Sequence, residues 1–530
     1  MSSIVPQKVG KHTYLYESVS YRNEKGKPRN NRKPIGKIDP VTGHPIYKPE
    51  YIERMIAAGK PITTVQTIES FTVEDIFRSS IRDYGAFYLF RVLAENMGLL
   101  TVLQKAFPGN WEEIFNLAAY LISTGDPFAY CEDWLATTEA YAVGAMTSQR
   151  ISELLVSISH EERDKFYRMW CALRSETEYL ALDITSTSSY SELVDSVEWG
   201  YNRDGEKLPQ INICLLMGYR SRYPIFQTVY SGSLKDVSTL LNTIDAFQAL
   251  AGKKQMIAVM DKGFFKTKNV NAMLSKQRHV DFVVAMPFTS KFAKDQVAGE
   301  RKDIDTLSNT IVCGGVSLRA VTKLRRWNSS HKVYAHIYYN SRKAQGMRED
   351  LYTHVATLRD QAKGQPEKCA KDDDYTKYLI IRHSEKDGGG YTVNLREDVV
   401  AAELETAGWV VIISNFITDA AEAIKIYHEK DIVEKGFLRL KNSLDLGRIR
   451  VHSEASMQNK VFIGFISLIL LTGIHNVMLS KKLYAKMTMR KMILALSKLR
   501  VQMVKGIRIL SPITKEQRII YEAFEVDIPV

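Results

Sequence analysis

Apolar and polar positions change rhythm several times along this chain, and each change predicts a different kind of element. Residues 10–60 show short alternating runs broken by the turn signals EKGKPRN and DPVTGHP, which predict a small β-rich or extended segment over residues 1–60. From Thr72 to about Arg174 apolar residues recur at three- and four-residue steps, as in VEDIFRSSIRDYGAFYLFRVLAENMGLL, and predict a helical domain over 61–175. Within it TSQRISELLVSIS reads as a short helix capped by Thr147 or Ser148. Such a domain suits DNA binding or, equally, a packing platform.

After Glu176 the rhythm becomes that of compact apolar runs. EYLALDIT, INICLLMGY and YPIFQTVYSG read as three strands, the last two joined by a tight turn at Arg220–Arg222. KDVSTLLNTIDAFQALAG reads as a helix starting near Ser233 or Asp236, QMIAVMDKGFF as a strand, NVNAMLSKQ as a helix and HVDFVVAMP as a fifth strand. Three strands, helix, strand, helix, strand predict an α/β domain with a mixed sheet, the early strands paired as hairpins and the later ones reached by crossovers. GWVVIISNF repeats the strand pattern much later. Between them, KVYAHIYYN and YLIIRHS read as strands, and KDDDYTK and EKDGGGY as turns or exposed loops. The expected organisation is a basic N-terminal segment at 1–60, a helical domain at 61–175, a core in two parts at 176–287 and 408–480, a β-rich insertion at 288–407 and a basic helical region at 481–530.

One stretch departs from simple amphipathicity. In YHEKDIVEKGFLRLKN, residues 427–442, Val433, Phe437, Leu440 and Leu444 supply a buried stripe. On a single helix Tyr427, Lys430, Glu434 and Lys441 would share a face about 60° wide, putting a phenol, two cations and a carboxylate together. A solvated face with a few ion pairs explains such a run by itself; the rest of the chain has to add weight to any other reading.

Charge adds some. The 530 residues carry a formal net charge of +12. Residues 1–60 hold twelve Lys/Arg against five Asp/Glu, and no acid occurs between Glu454 and Glu516. Basic blocks at both ends fit contact with nucleic-acid phosphates. The five cysteines, Cys131, Cys171, Cys214, Cys313 and Cys369, lack zinc spacing and read as reduced thiols of a cytoplasmic protein without a signal peptide. VFIGFISLILLTGI, 461–474, is too short to span a bilayer comfortably and reads as a buried core helix, so no membrane partner is expected.

Asp183 and Asp261 close two apolar strand runs, at the sheet edge where sites in α/β folds gather. With Glu434 they make three carboxylates, enough to hold two divalent metals about 4 Å apart. Oxygen ligands suit magnesium. Other acids fit less well: Asp236 suits a helix cap, Asp195, Glu198 and Asp204 lie in a loop, and Glu429 and Asp431 point about 140° and 60° away from Glu434.

These residues resemble bacterial insertion-sequence transposases of the DDE class, which have an RNase H-like catalytic core. The resembling subgroup carries a Tyr-(2)-Arg-(3)-Glu-(6)-Lys signature, met here by Tyr427, Lys430, Glu434 and Lys441, with Lys in the Arg position. That departure keeps the charge and loses bidentate geometry. Asp183 in LDITSTSSY, Asp261 in MDKGFF, GWVVIISNF and RIRVHSEASMQNKVFIGFISLILL also look like the family, over about residues 80–480. Asp261 and Glu434 are 173 positions apart, more than a plain core needs, and the stretch 288–407 resembles the β-rich insertion of the subgroup. In some relatives a Trp there stacks on a flipped base, a role that Trp327 in LRRWNSS could take; a packed or merely exposed Trp is the plainer reading.

The resemblance implies an α/β fold with the RNase H-like mixed-sheet core interrupted by that insertion. It implies Asp183, Asp261 and Glu434 as catalytic metal ligands for Mg2+, with Mn2+ as substitute, and Tyr427, Lys430 and Lys441 as contacts to phosphates of the element's ends. The expected activity is metal-dependent DNA cleavage followed by joining of 3′-OH ends to target DNA, by a homodimer in the synaptic complex, in the bacterial cytoplasm at the nucleoid. An RNase H-like nuclease without strand transfer, and a non-catalytic DNA-binding descendant, remain alternatives.

Overall fold

The computed structural model describes residues 2–10, 12–23, 26–39, 45–57, 79–174, 179–251, 257–278, 280–384, 390–504 and 507–529. Parts of the predicted turns EKGKPRN, DPVTGHP and EKDGGGY, and the helical pattern over Thr72–Arg78, lie outside them.

The N-terminal pattern folds as a four-stranded antiparallel sheet, β1 (Ser2–Val9), β2 (His12–Arg22), β3 (Pro28–Ile38) and β4 (Pro45–Tyr47) in that order, followed by the helix Pro49–Ala57. Its small core is Leu15, Ile35 and Tyr51. The next segment is mostly helical, as its periodicity predicts. Thr147 caps the helix Ser148–Ser157 by accepting from the Arg150 amide at 3.2 Å, and Ser159 with Glu162 forms a capping box on the helix His160–Leu173. One part is not helical. Ile81–Asp83 forms a strand, β5, because its backbone groups are taken by a partner far along the chain that local periodicity does not reveal.

The central sheet holds β6 (Tyr179–Ser189), β7 (Gln210–Gly218), β8 (Pro224–Ser231), β9 (Ile257–Met260), β10 (Asp281–Ala285), β11 (Thr310–Cys313), β12 (Val316–Arg326), β13 (Lys332–Tyr339), β16 (Trp409–Ser414) and β17 (Arg448–Ile449). Two further strands, β14 (Leu379–Ser384) and β15 (Gly390–Leu395), form a separate two-stranded sheet among the described residues. The sheet order is β11-β12-β13-β16-β10-β9-β6-β7-β8, with β17 on β6. β6, β9 and β10 run parallel, while β7, β8 and β16 are antiparallel to their neighbours. The chain therefore has the mixed sheet that the alternation predicts, reached through the helices Asp236–Ala251 and Thr267–Leu274.

The stretch 288–407 is not β-rich. It contains five helices and five strands among the described residues. β11 to β13 extend the central sheet, and the 24-residue helix Ser341–Gly364 packs with Tyr378 and Leu379 in a separate core. KDDDYTK, expected as a turn or exposed loop, instead starts the helix Asp373–Tyr378, capped by Asp372 accepting from the Asp374 amide at 3.0 Å. The 481–530 region is likewise mixed. The helices Met489–Ser497 and Lys515–Ala523 flank a hairpin of β18 (Arg500–Val504) and β19 (Ile507–Leu510), and β18 pairs with β5.

The apolar run at 461–474 belongs to a longer helix, Glu454–Ser480, whose 27 residues, with an 18-residue stretch of mean hydropathy 2.0, suffice by length and composition to cross a membrane. Within its most apolar window 83% is buried inside the protein. It is apolar on all sides because it is covered on all sides: Phe462 meets the rings of Phe107, Phe166 and Tyr167 from the helical domain, and Leu446 and Leu440 close on Gly464. This helix locks the helical domain to the sheet.

Candidate active site

β6 and β9 lie side by side with Leu182 opposite Met260. The next residue on each chain is a carboxylate, Asp183 and Asp261. Parallel neighbours are about 4.8 Å apart, so the register alone sets the two acids beside each other. Asp261 follows the last residue of β9, as the sequence suggested. Asp183 does not end its strand; β6 runs on to Ser189, because Thr185–Ser189 pair with β7 and β17 despite being polar.

The third acid arrives on a helix that is not continuous. The signature stretch forms two helices, Ala420–His428 and Asp431–Ser443, joined by a tight turn at Glu429–Lys430. Three-residue hydrogen bonds mark the turn, Lys430 N to Tyr427 O at 3.3 Å and Val433 N to Lys430 O at 2.9 Å. The two helices cover different strands of a sheet that twists beneath them. Ala423, Ile424 and Ile426 of the first bury against Val259 and Val283, whereas the second packs on β6 and β7. Gly436 permits the approach: a Cβ there would lie 2.8 Å from Met217 Sδ and 3.2 Å from Leu215 Cδ2. Leu215 is the cross-strand partner of Asp183 and shares its face. The break therefore stands over the boundary of β6 and β9, above the two aspartates.

Tyr427 and Lys430 complete the geometry. The Tyr427 hydroxyl donates to Asp261 Oδ1 at 2.6 Å. Lys430 Nζ lies 3.2 Å from Glu434 Oε1 and 3.8 Å from Asp261 Oδ2, with its ammonium 5.5 Å from the Tyr427 ring centre. A single ammonium thus stands between two of the three carboxylates. Burial pushes the Asp183 carboxyl up to about 6, with the Ile184 amide, Arg203 and Lys430 opposing. Burial also raises Asp261, but the Tyr427 hydroxyl, the Lys262 amide and Lys430 outweigh it and hold Asp261 below its ordinary value. The Tyr427 phenol is pushed up, by burial first and then by its bond to Asp261. Burial lowers Lys430, yet Asp261 and Glu434 overcome it, so its pKa is raised.

The donor set is all oxygen and anionic, which fits magnesium or manganese by chemistry. As it stands, no three acidic, His or Cys groups among the described residues are gathered closely enough to hold an ion together. Lys430 supplies the positive charge between Asp261 and Glu434, and the Glu434 side chain is 53% exposed.

Lys441 is in an unexpected position. Its Nζ is 2.6 Å from Asp204 Oδ2 and its side chain is 13% exposed, so it is an ion-pair partner of the β6–β7 loop. Trp327 is half-buried: its indole donates to Asn271 Oδ1 at 2.8 Å and its ring meets Phe265 and Phe292 edge-on. It packs against the edge of the main core. Sequence reasoning missed the β6–β7 loop, where Arg203 acts on Asp183, Asp204 holds Lys441 and Tyr201 is 85% exposed. A polar loop without periodicity gives no signal of where it returns.

No curated protein matches the chain. Among solved structures it is similar to a piggyBac transposase in a synaptic complex with hairpin DNA, at 10% identity and a TM-score of 0.34, over 84% of this chain and 75% of that one. Residues 175–470, which contain Asp183, Asp261, Tyr427, Lys430, Glu434 and Lys441, match the transposase DDE domain. That match covers more than half of the sequence, and the protein belongs to the DDE transposase family.

Proposed function

We propose that this protein cuts DNA at the ends of a mobile element by metal-dependent hydrolysis and joins the resulting 3′-OH ends to target DNA. The observation that carries the reading is the register of β6 and β9, which sets Asp183 beside Asp261 under the helix break that brings Glu434 and Lys430 to the same place. The strand order β8-β7-β6-β9-β10, with β6, β9 and β10 parallel, supports the reading of an RNase H-like core.

Asp183, Asp261 and Glu434 would hold Mg2+, or Mn2+ in its place. When bound, the metal supplies Lewis acidity for in-line phosphoryl displacement. The remaining chemistry belongs to the chain. Tyr427 orients Asp261 through its hydroxyl. Lys430 neutralises Asp261 and Glu434 in the free protein and turns to a phosphate oxygen when DNA brings its own negative charge. Lys441 exchanges Asp204 for a second phosphate, or holds the β6–β7 loop against the duplex. Trp327 supports the sheet beside the site rather than stacking on a base. The partner is DNA, no membrane is engaged, synapsis of two ends requires a homodimer, and the place of action is the bacterial nucleoid.

The test is a cleavage and strand-transfer assay on DNA carrying the sequences that flank this reading frame. Expected are nicks that depend on Mg2+ or Mn2+, joined products with 3′-OH donors, and neither with Asp183→Asn. Cleavage without joining would assign a nuclease; binding without cleavage would assign a non-catalytic descendant.

A further inference from the structure

On the far side of the second signature helix lies a cavity of about 420 Å³ whose walls carry three cations, Arg222, Lys435 and Arg439. Lys435 and Arg439 are one turn apart and point about 100° and 140° away from Glu434 by helical count. Arg222 comes from the β7–β8 turn, where it adopts φ 61°, a conformation that favours glycine or asparagine. The Asn476 amide donates to Ser221 O at 2.9 Å and fixes that turn against the long helix.

Cations brought together need a counter-charge. Two carboxylates, Glu429 and Asp431, line the same cavity, yet among the described residues none of the three cations makes an ion pair or a side-chain hydrogen bond. The charges that Arg439 feels are Arg222, which lowers its pKa, and the Tyr484 hydroxyl, which raises it, both after burial, which lowers it most. His475, hydrogen-bonded to Tyr484 at 2.7 Å, is pushed down to about 4 by burial and then by Arg439, Arg222 and Lys435. A neutral imidazole amid three cations is a donor-rich, anion-seeking wall.

We propose that this cavity is a second phosphate site, separate from the carboxylate site, that takes a backbone phosphate of duplex DNA. It rests on the transposase reading and extends it. The helix Asp431–Ser443 is about 10 Å thick with its side chains, so the phosphate held here differs from the one held beside Glu434. The helix is then clasped on two faces by DNA backbone. Contacts of this kind position the duplex and carry no sequence information.

Equilibrium binding of a fluorescent, mixed-sequence duplex across a salt series tests it, with Arg439→Gln, Arg439→Lys and the double variant Arg222→Gln/Arg439→Gln. Each lost phosphate contact makes the log–log slope shallower by about 0.9. The single Gln variant should lose about 0.9 and the double about 1.8, while Arg439→Lys keeps the wild-type slope. Relief of like-charge repulsion should leave the melting temperature of the free variants unchanged or higher. A wild-type slope in Arg439→Gln overturns the proposal, and so does a lowered melting temperature with an unchanged slope, which would assign Arg439 to packing. Calorimetry with inorganic phosphate and pyrophosphate separates a free-anion site: binding lost in the variants with the duplex slope intact overturns the DNA assignment. If the wild type bound duplex without salt dependence, the transposase reading would fall as well; salt-dependent binding unaltered by the variants removes the second site alone.

Discussion

Asp183 and Lys441 make opposite demands on the free protein. A carboxyl whose pKa rises on folding contributes stability that is complete below its ordinary value and is lost as pH climbs through the folded value. For Asp183 that window runs from about 4 to about 6. Asp183→Asn removes the loss, so in the absence of divalent metal it should melt higher than the wild type at pH 7 and alike near pH 4. The gap should be about 1–3 kcal/mol. Added Mg2+ or Mn2+ should raise the wild-type melting temperature and leave the variant unmoved; a variant that melts lower at neutral pH would remove burial as the cause. Lys441→Ala instead breaks a 2.6 Å pair with Asp204. If the ammonium passes to a phosphate, the salt slope of duplex binding falls by about 0.9. If it stays on the loop, the slope holds and cleavage alone declines, so one titration separates the two duties.

At the scale of elements, the sequence made the central strands and their acids legible because buried strands are continuous apolar runs and their order sets the crossovers. It did not show that the signature helix breaks. Ile426 and Val433 keep one stripe across the break, so periodicity reads straight through it, and only the twist of the sheet beneath reveals the turn. It also placed Asp183 at a strand end, since TSTSS is polar, whereas pairing with β7 and, at Ser188 and Ser189, with β17 carries the strand on and buries those side chains. The insertion looked β-rich because KVYAHIYYN and YLIIRHS stand out as apolar runs, whereas the long helix Ser341–Gly364 buries only Val355, Leu358 and Ala362 and shows a weak apolar stripe. The close seat of the second signature helix gives a test. Gly436→Val forces Met217 and Leu215 aside and should cost about 1–3 kcal/mol in denaturant unfolding. Cleavage should fall much further than DNA binding, because Glu434 is lifted from the aspartates. Normal cleavage in a destabilised variant would mean that the helix does not position the acid.

Across the whole molecule, the basic ends are built differently. Residues 1–60 carry their own small core of Leu15, Ile35 and Tyr51, together with twelve Lys/Arg. Their deletion should weaken duplex binding most at low salt while leaving the calorimetric unfolding of the remainder in place; collapse of that transition would show the sheet to be structural. The other end cannot be removed in this way. Arg500 binds Asp83 across 417 positions, β18 completes β5, and the Tyr521 hydroxyl donates to Gly85 O. A ribosome adds about 5–20 residues per second, so Ile81–Asp83 waits about 20–80 s after emerging before its partner strand has been made. Through that interval the strand is an open edge, able to pair with any other passing chain. A product released early never closes it, and the last thirty residues decide whether the first helical domain is finished.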